Sequence, residues 1–155
     1  MTAPTDIKAA EKKASATSGQ LATFRLDGDL YGIEVEHVQE VLRSQQLTRV
    51  PLAPTAVAGL INLRGQVVTA IELRERLGRP PRAEGTDAVV IVVRLHGEAV
   101  SLLVDSIADV VDVDAGDFEA PPDTLEGQAR DLIRGAYKLH GQLLLALDVQ
   151  KAVSA

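Results

Sequence analysis

The chain has no cysteine and no tryptophan, and only two phenylalanines and two tyrosines among 155 residues. Without cysteine there is no disulfide framework, no thiolate zinc cluster and no thiol nucleophile, a composition that suits a reducing cytoplasm. With so few aromatics, the core implied by a 46% hydrophobic composition must be built from Val, Leu, Ile and Ala. Long apolar runs are missing too. The longest, Ala88 to Val93 and Leu143 to Leu147, fall far short of the roughly 20 residues needed to cross a bilayer. The amino-terminal MTAPTDIKAAEKKASATSGQ has neither the apolar segment of a secretory leader nor a core-facing stripe, so residues 1–19 read as a disordered tail.

Positive charge is scarce in one half only. Leu21 to Thr86 carries eight basic and eight acidic residues, whereas Asp87 to the end carries five and twelve, so the net charge of −6 arises in the second half. An acidic surface repels phosphate backbones, which argues against nucleic acid as a partner.

Catalytic signatures are absent as well. No GxSxG, GxxxxGK[ST] or GxGxxG string occurs. His37, His96 and His140 fall at unrelated places without the spacing of a zinc site, and read as surface histidines. Asp105 and Asp109 lie four apart, as do Glu36 and Glu40 in the first half, and read as solvated faces. The acidic stretch DVDAGDFE, residues 112–119, has Gly and Asp in the wrong order for a calcium loop, with Asp123 rather than Glu to close it. No catalytic residue, cofactor or metal is therefore expected, and the chain is not expected to be an enzyme.

What is present is a repeat. GLINLRGQ at 59–66 returns as GAYKLHGQ at 135–142, LDGD at 26–29 as LHGE at 95–98, VEHVQEVL as VDSIADVV, and VVTAIELRERL as LLLALDVQKAV. Two copies of about 65 residues account for nearly everything after the tail. Each copy opens with alternating apolar residues around a Gly turn, such as Ala22, Phe24 and Leu26, then Asp27-Gly28, then Tyr31, Ile33 and Val35, which is a hairpin signal. In the second copy VVIVV is apolar on both faces, as in a strand sandwiched between packed layers.

After each hairpin the apolar spacing widens. Val35, Val38, Val41 and Leu42, and likewise Ile107, Val110 and Val111, predict a short helix or helical turn. Prolines follow (Pro51 and Pro54; Pro121 and Pro122), then the Gly-framed block, a strand (QVVTAIE or QLLLALD) and a final amphipathic turn. Many short strands with Gly and Pro turns predict a mainly β fold of two small barrels. A copy this short is marginal alone, so the two should pack together and share a third apolar contact.

These residues carry a resemblance. The run from Tyr31 to Gly78, YGIEVEHVQEVLRSQQLTRVPLAPTAVAGLINLRGQVVTAIELRERLG, resembles the first subdomain of the CheW-like domain of bacterial chemotaxis, and SLLVDSIADVVDV resembles its second. The most diagnostic feature is Gly59 with Asn62-Leu63-Arg64-Gly65, set about 25 residues after Tyr31-Gly32-Ile33. The resemblance covers about residues 20–153. It implies two pseudo-duplicated SH3-like five-stranded β-barrels within one domain, residues 20–155, with subdomains at about 20–86 and 87–155. It also implies a non-catalytic adaptor, in the stand-alone form given the bare tail before it. The implied partners are a methyl-accepting chemoreceptor and the regulatory domain of the histidine kinase CheA, with the protein monomeric when isolated, cytoplasmic, and associated with membrane-anchored receptor arrays without inserting into the membrane. The alternative is a CheW-like adaptor of a CheA-like pathway outside chemotaxis, controlling pili, gliding or development.

The two copies keep their glycines and differ at Asn62 against Lys138 and Arg64 against His140, positions that alternation aims away from the core. That pattern points to one docking face. Arg64 is the residue assigned to it, since a guanidinium offers a planar fork of donors to a partner helix. A local ion pair with an acidic neighbour such as Glu40 is the other reading, and the two are compatible. By resemblance, Val38, Glu40 and Gly59 join Asn62 and Arg64 on the receptor face, while Val38 also reads as core and Gly59, twinned with Gly135, as a backbone requirement. The kinase contact falls by resemblance near a strand at Leu47 to Pro51, with Leu47 and Val50 as candidates and a core role as the other reading of each.

Overall fold

The structure is a computed structural model that describes residues 19–154. The expected tail lies outside the described residues, except that Gly19 opens the first strand. Eleven strands follow in chain order: β1 (Gly19–Leu26), β2 (Asp29–Glu34), β3 (Val38–Leu42), β4 (Val57–Leu63), β5 (Gln66–Glu72), β6 (Val89–Leu95), β7 (Glu98–Val104), β8 (Ser106–Val113), β9 (Phe118–Glu119), β10 (Ile133–Leu139) and β11 (Gln142–Leu147). The helices are short: α1 (Leu73–Arg76), α2 (Gly127–Leu132) and α3 (Val149–Val153), with single 3-10 turns at Val35–His37 and Ala115–Asp117.

The strands form two sheets, ordered β8-β1-β2-β11-β10-β9 and β3-β6-β7-β5-β4. Under the internal alignment these are one arrangement written twice: β8 matches β3, β1 and β2 match β6 and β7, and β11 and β10 match β5 and β4. The two-residue β9, which gives the first sheet a sixth strand, corresponds to a lone bridge between Thr48 and Leu60 in the other. Each sheet therefore takes its opening hairpin from the other copy. The exchanged hairpins are received through parallel pairings, Leu144 with Leu30 and Thr69 with Val100. Neither sheet is a contiguous half of the chain, because β1–β2 lie with the 87–155 strands and β6–β7 with those of 20–86.

Side-chain alternation explains how one chain fills three apolar layers. Leu21, Leu30, Val113, Tyr137, Leu144 and Ala146 pack within the six-stranded sheet. Ile61, Ala70, Val90, Val92 and Leu103 pack within the five-stranded one. The largest cluster lies between the sheets and holds Phe24, Tyr31, Ile33, Ile71, Leu73, Ile91, Val93, Leu102 and Val104 among others. β6 serves both of its layers, Val90 and Val92 on one face and Ile91 and Val93 on the other, which is why VVIVV shows no polar alternation. Each such aliphatic side chain contributes about 1.5–3 kcal/mol when fully buried, so the sheets cannot part without losing most of the stabilising area.

The helical expectation after each hairpin does not hold beyond the single turn at Val35–His37. Val38–Leu42 and Ser106–Val113 are edge strands, paired with β6 and β1. A bulge in each produces the misleading spacing. Val38 and Glu40 oppose the adjacent Val93 and Val92, leaving Gln39 extra, and Ile107 and Val110 oppose Phe24 and Ala22 with one residue too many between them. An extra residue converts a period of two into an apparent three.

Polar contacts lock the seam. Arg74 donates to both carboxylate oxygens of Asp105, at 2.9 and 2.6 Å, and Arg82 donates to Asp105 at 3.1 Å and to Glu72 at 2.9 and 3.1 Å. The amide of Asp27, in the β1–β2 turn, donates to Asp105 at 2.9 Å, and Arg79 pairs with Asp29 at 2.5 Å. These contacts tie the exchanged hairpin to α1 and to the connection that follows it. The Asp105 carboxyl is held down at about 2, chiefly by the hydrogen bonds from Arg74. The expectation of a solvated Asp105 is thereby corrected: it is the centre of an arginine cluster, and it precedes an edge strand rather than sitting on a helix. Asp109 lies on that strand, β8, where its carbonyl accepts from the Thr23 hydroxyl.

Candidate functional site

The Gly-framed block of the first copy forms the β4–β5 hairpin, in register from Leu63 opposite Gln66. Both turn residues are left-handed, Arg64 with φ 52° and Gly65 with φ 83°, the pairing that a tight two-residue hairpin turn demands. Asn62 secures it, its Oδ1 accepting from the Gly65 amide at 3.0 Å. Asn62 thus has a turn-holding role that its letter alone did not disclose. The left-handed backbone at Arg64 carries a cost of roughly 1–2 kcal/mol for a residue with a Cβ, and it throws the side chain off the tip of the hairpin.

From there Arg64 reaches Glu40. Its Nη1 and Nη2 donate to the two carboxylate oxygens at 2.7 and 2.9 Å, a bidentate pair. Glu40 lies on β3 and Arg64 just past β4, which are the two outer strands of the five-stranded sheet. The pair therefore joins opposite margins of one sheet, closing by side chains a barrel that the backbone ladder leaves open. The hydrogen bonds from Arg64 lower the Glu40 carboxyl, against a smaller opposing effect of burial. The Arg64 side chain remains 73% exposed while that of Glu40 is 19% exposed, so the guanidinium is the presented group and the carboxylate its support.

Gly59, on β4 before the turn, is a point of close backbone approach. A Cβ there would sit 2.6 Å from the Thr48 carbonyl oxygen, because Thr48 and Leu60 exchange hydrogen bonds at 2.9 and 2.8 Å. Its twin Gly135 is crowded in the same way by Phe118 and the Glu119 carbonyl. The backbone requirement expected of this glycine pair is what the geometry displays.

The five sequence-chosen residues lie on β3, on β4 and in the turn after β4, at the two margins of the five-stranded sheet. Glu40, Asn62 and Arg64 are joined by hydrogen bonds or by the turn, Gly59 underlies the adjoining backbone, and Val38 lies two residues from Glu40, half-buried against the central cluster. Val41, next on β3, is exposed. Leu47 and Val50, 36% and 39% exposed, are not core residues. They flank Thr48, which alone of the expected 47–51 strand makes a bridge. The first copy's receptor and kinase candidates are therefore contiguous through Thr48 and Gly59.

The histidines part ways. His37 and His96 share one cleft, with Glu34, Arg94, Arg134 and Asp148, while His140 stands in the β10–β11 turn. His37 lies 3.3 Å from Glu34. Sequence spacing could not have disclosed the meeting of His37 with His96, since it arises from the hairpin exchange. Among the described residues no cluster of His, Asp and Glu is arranged to hold a metal ion. The acidic stretch 112–119 is the end of β8, a 3-10 turn in which Asp114 accepts from the Gly116 amide at 3.0 Å, and β9. Among the described residues no helix is long and apolar enough to cross a membrane.

Residues 20–155 match the family described as CheW-like domain. The chemotaxis protein CheW of Treponema pallidum is 30% identical over 140 residues, covering 88% of this chain and 82% of its own length. That of Klebsiella aerogenes is 30% identical over 145 residues, covering 93% and 87%. Among solved structures, the scaffolding protein TtCheW of Thermoanaerobacter tengcongensis superposes with a TM-score of 0.75 at 28% identity, covering 85% of this chain and 90% of that one.

Proposed function

Because the chain belongs to the family of CheW-like domains, we propose that it is a non-catalytic scaffold of chemotaxis, coupling the cytoplasmic tip of a methyl-accepting chemoreceptor to the regulatory domain of the histidine kinase CheA. It acts in the cytoplasm beside membrane-anchored receptor arrays. The observation that carries the receptor half of this reading is the Arg64–Glu40 pair at the hairpin tip. Glu40 engages two of the five N–H donors of the guanidinium, and the rest are presented to solvent for the carboxylates or carbonyls of a partner helix. The exposed Val41 and the half-buried Val38 supply apolar area on β3, the strand that carries Glu40. Asn62 and Gly59 serve the same face by holding its turn and its backbone. Leu47 and Val50, half-exposed around the Thr48 bridge, are assigned to the kinase.

A coupler needs reversible contacts, and apolar centres with charged rims covering no more than about 800 Å² per partner suit that need. The test is co-sedimentation with receptor-bearing membranes together with receptor-dependent CheA autophosphorylation. Arg64→Glu should abolish both, with the unfolding free energy kept within about 1 kcal/mol of the parent. Unfolding of that variant would make Arg64 a structural residue and remove the receptor site from this face.

A further inference from the structure

The side chain of Leu52 is fully exposed, and its backbone is left-handed with φ 64°. A branched aliphatic residue gains nothing from either condition in the free protein, since water surrounds the side chain and the Cβ opposes the backbone. The second copy handles the same stretch differently. Between Glu119 and Ile133 its loop is five residues longer than the one between Thr48 and Val57, and it buries Leu125 together with Ala129 and Leu132 of α2 in the central cluster. The shorter first-copy loop has no such helix and leaves its leucine outside. Around Leu52, residues 41–55 include Arg43 and Arg49 and no Asp or Glu.

We propose that Leu52 is the anchor of the kinase contact, a knob held out by its left-handed backbone to enter an apolar recess on CheA rimmed by carboxylates that face Arg43 and Arg49. This rests on the assignment of Leu47 and Val50 to the kinase, with which Leu52 is continuous along the chain. The backbone presets the side chain, so little ordering remains to be lost on binding.

The test measures the Kd of the full chain for full-length CheA, with receptor co-sedimentation as a parallel readout. Leu52→Asn keeps a residue that tolerates positive φ and removes the apolar side chain. It should weaken kinase binding about tenfold or more, leave the melting temperature unchanged or raised, and leave receptor co-sedimentation intact. Leu52→Met, still apolar, should stay within about threefold of the parent, and Leu52→Gly repeats the loss if Asn disturbs the melt. Arg43→Ala with Arg49→Ala should cost more at low salt than at high salt. A parental Kd for Leu52→Asn overturns the anchor. If Leu47→Asp with Val50→Asp then abolishes binding, the kinase face stands without this anchor; if that pair also binds as the parent does, the assignment of the face itself falls. Loss of receptor rather than kinase binding in Leu52→Asn overturns the proposal in favour of a receptor occupant.

Discussion

The turn at Asn62–Gly65 and its counterpart at Lys138–Gly141 occupy equivalent places in two sheets of the same strand order, yet their side chains do different work. In the first, Asn62 ties the turn, Arg64 takes a left-handed backbone, and its guanidinium spans the sheet to Glu40. In the second, Gly141 is left-handed, and Lys138 pairs at 3.0 Å with Glu119 on the strand next to its own. The glycines at 59 and 135 are both crowded by the preceding loop, Gly59 by the Thr48 carbonyl and Gly135 by the Phe118 ring and the Glu119 carbonyl. Duplication has kept what the backbone demands and left the outward side chains free to diverge, so that one turn presents a supported cation and the other a short local pair.

That comparison can be broken most forcefully at the paired glycines. Gly135→Ala drives a methyl into the Phe118 ring, which packs edge-on against Tyr137 at 5.1 Å, so it should lose about 3 kcal/mol in urea unfolding. Gly59→Ala meets the Thr48 backbone carbonyl and puts a Cβ on a backbone at φ 154°, and should lose about 2 kcal/mol. Equal losses would mean that the two loops are equally rigid.

Next comes the asymmetry at Asp105, whose counterpart in the other copy is the exposed Glu36. Asp105→Asn should cost about 1–2 kcal/mol, because three donors lose a charged acceptor, while Glu36→Gln should stay within about 0.5 kcal/mol. The folded Asp105 carboxyl lies at about 2, below its ordinary 3.8. Its stabilisation is therefore complete above about pH 4 and lost as the pH falls toward 2, a slope in acid unfolding that Asp105→Asn should flatten. A small effect is also expected at Arg64→Ala, whose melt should stay close to the parent's, since an exposed pair is screened by water however good its geometry.

Local chemistry made much of this fold legible. The Asp27-Gly28 turn, the two-faced VVIVV strand and the short helices that close each copy follow from turn residues and side-chain period, which act over a few positions. The edge strands β3 and β8 were misread because each bulge inserts a residue and disguises its period. The exchange of hairpins was not legible, since nothing in a hairpin's own pattern says which copy receives it. In the site, the pairing of Arg64 with Glu40 was one of two open readings, and alternation correctly aimed both Asn62 and Arg64 outward. The arginine cluster on Asp105 was not legible because its partners are distant in sequence, Arg74 on the single-turn α1 and Arg82 on irregular backbone after it.

The most direct measurement exchanges the letters of the two turns and asks which copy binds receptor. Asn62→Lys with Arg64→His gives the first turn the second's residues, and Lys138→Asn with His140→Arg does the reverse; both are assayed for co-sedimentation with receptor membranes after their melts are checked. Loss of binding in the first variant alone, with parental melting, is the expected result. Parental binding in the first variant, or loss confined to the second, would contradict the assignment of docking to the Arg64 turn.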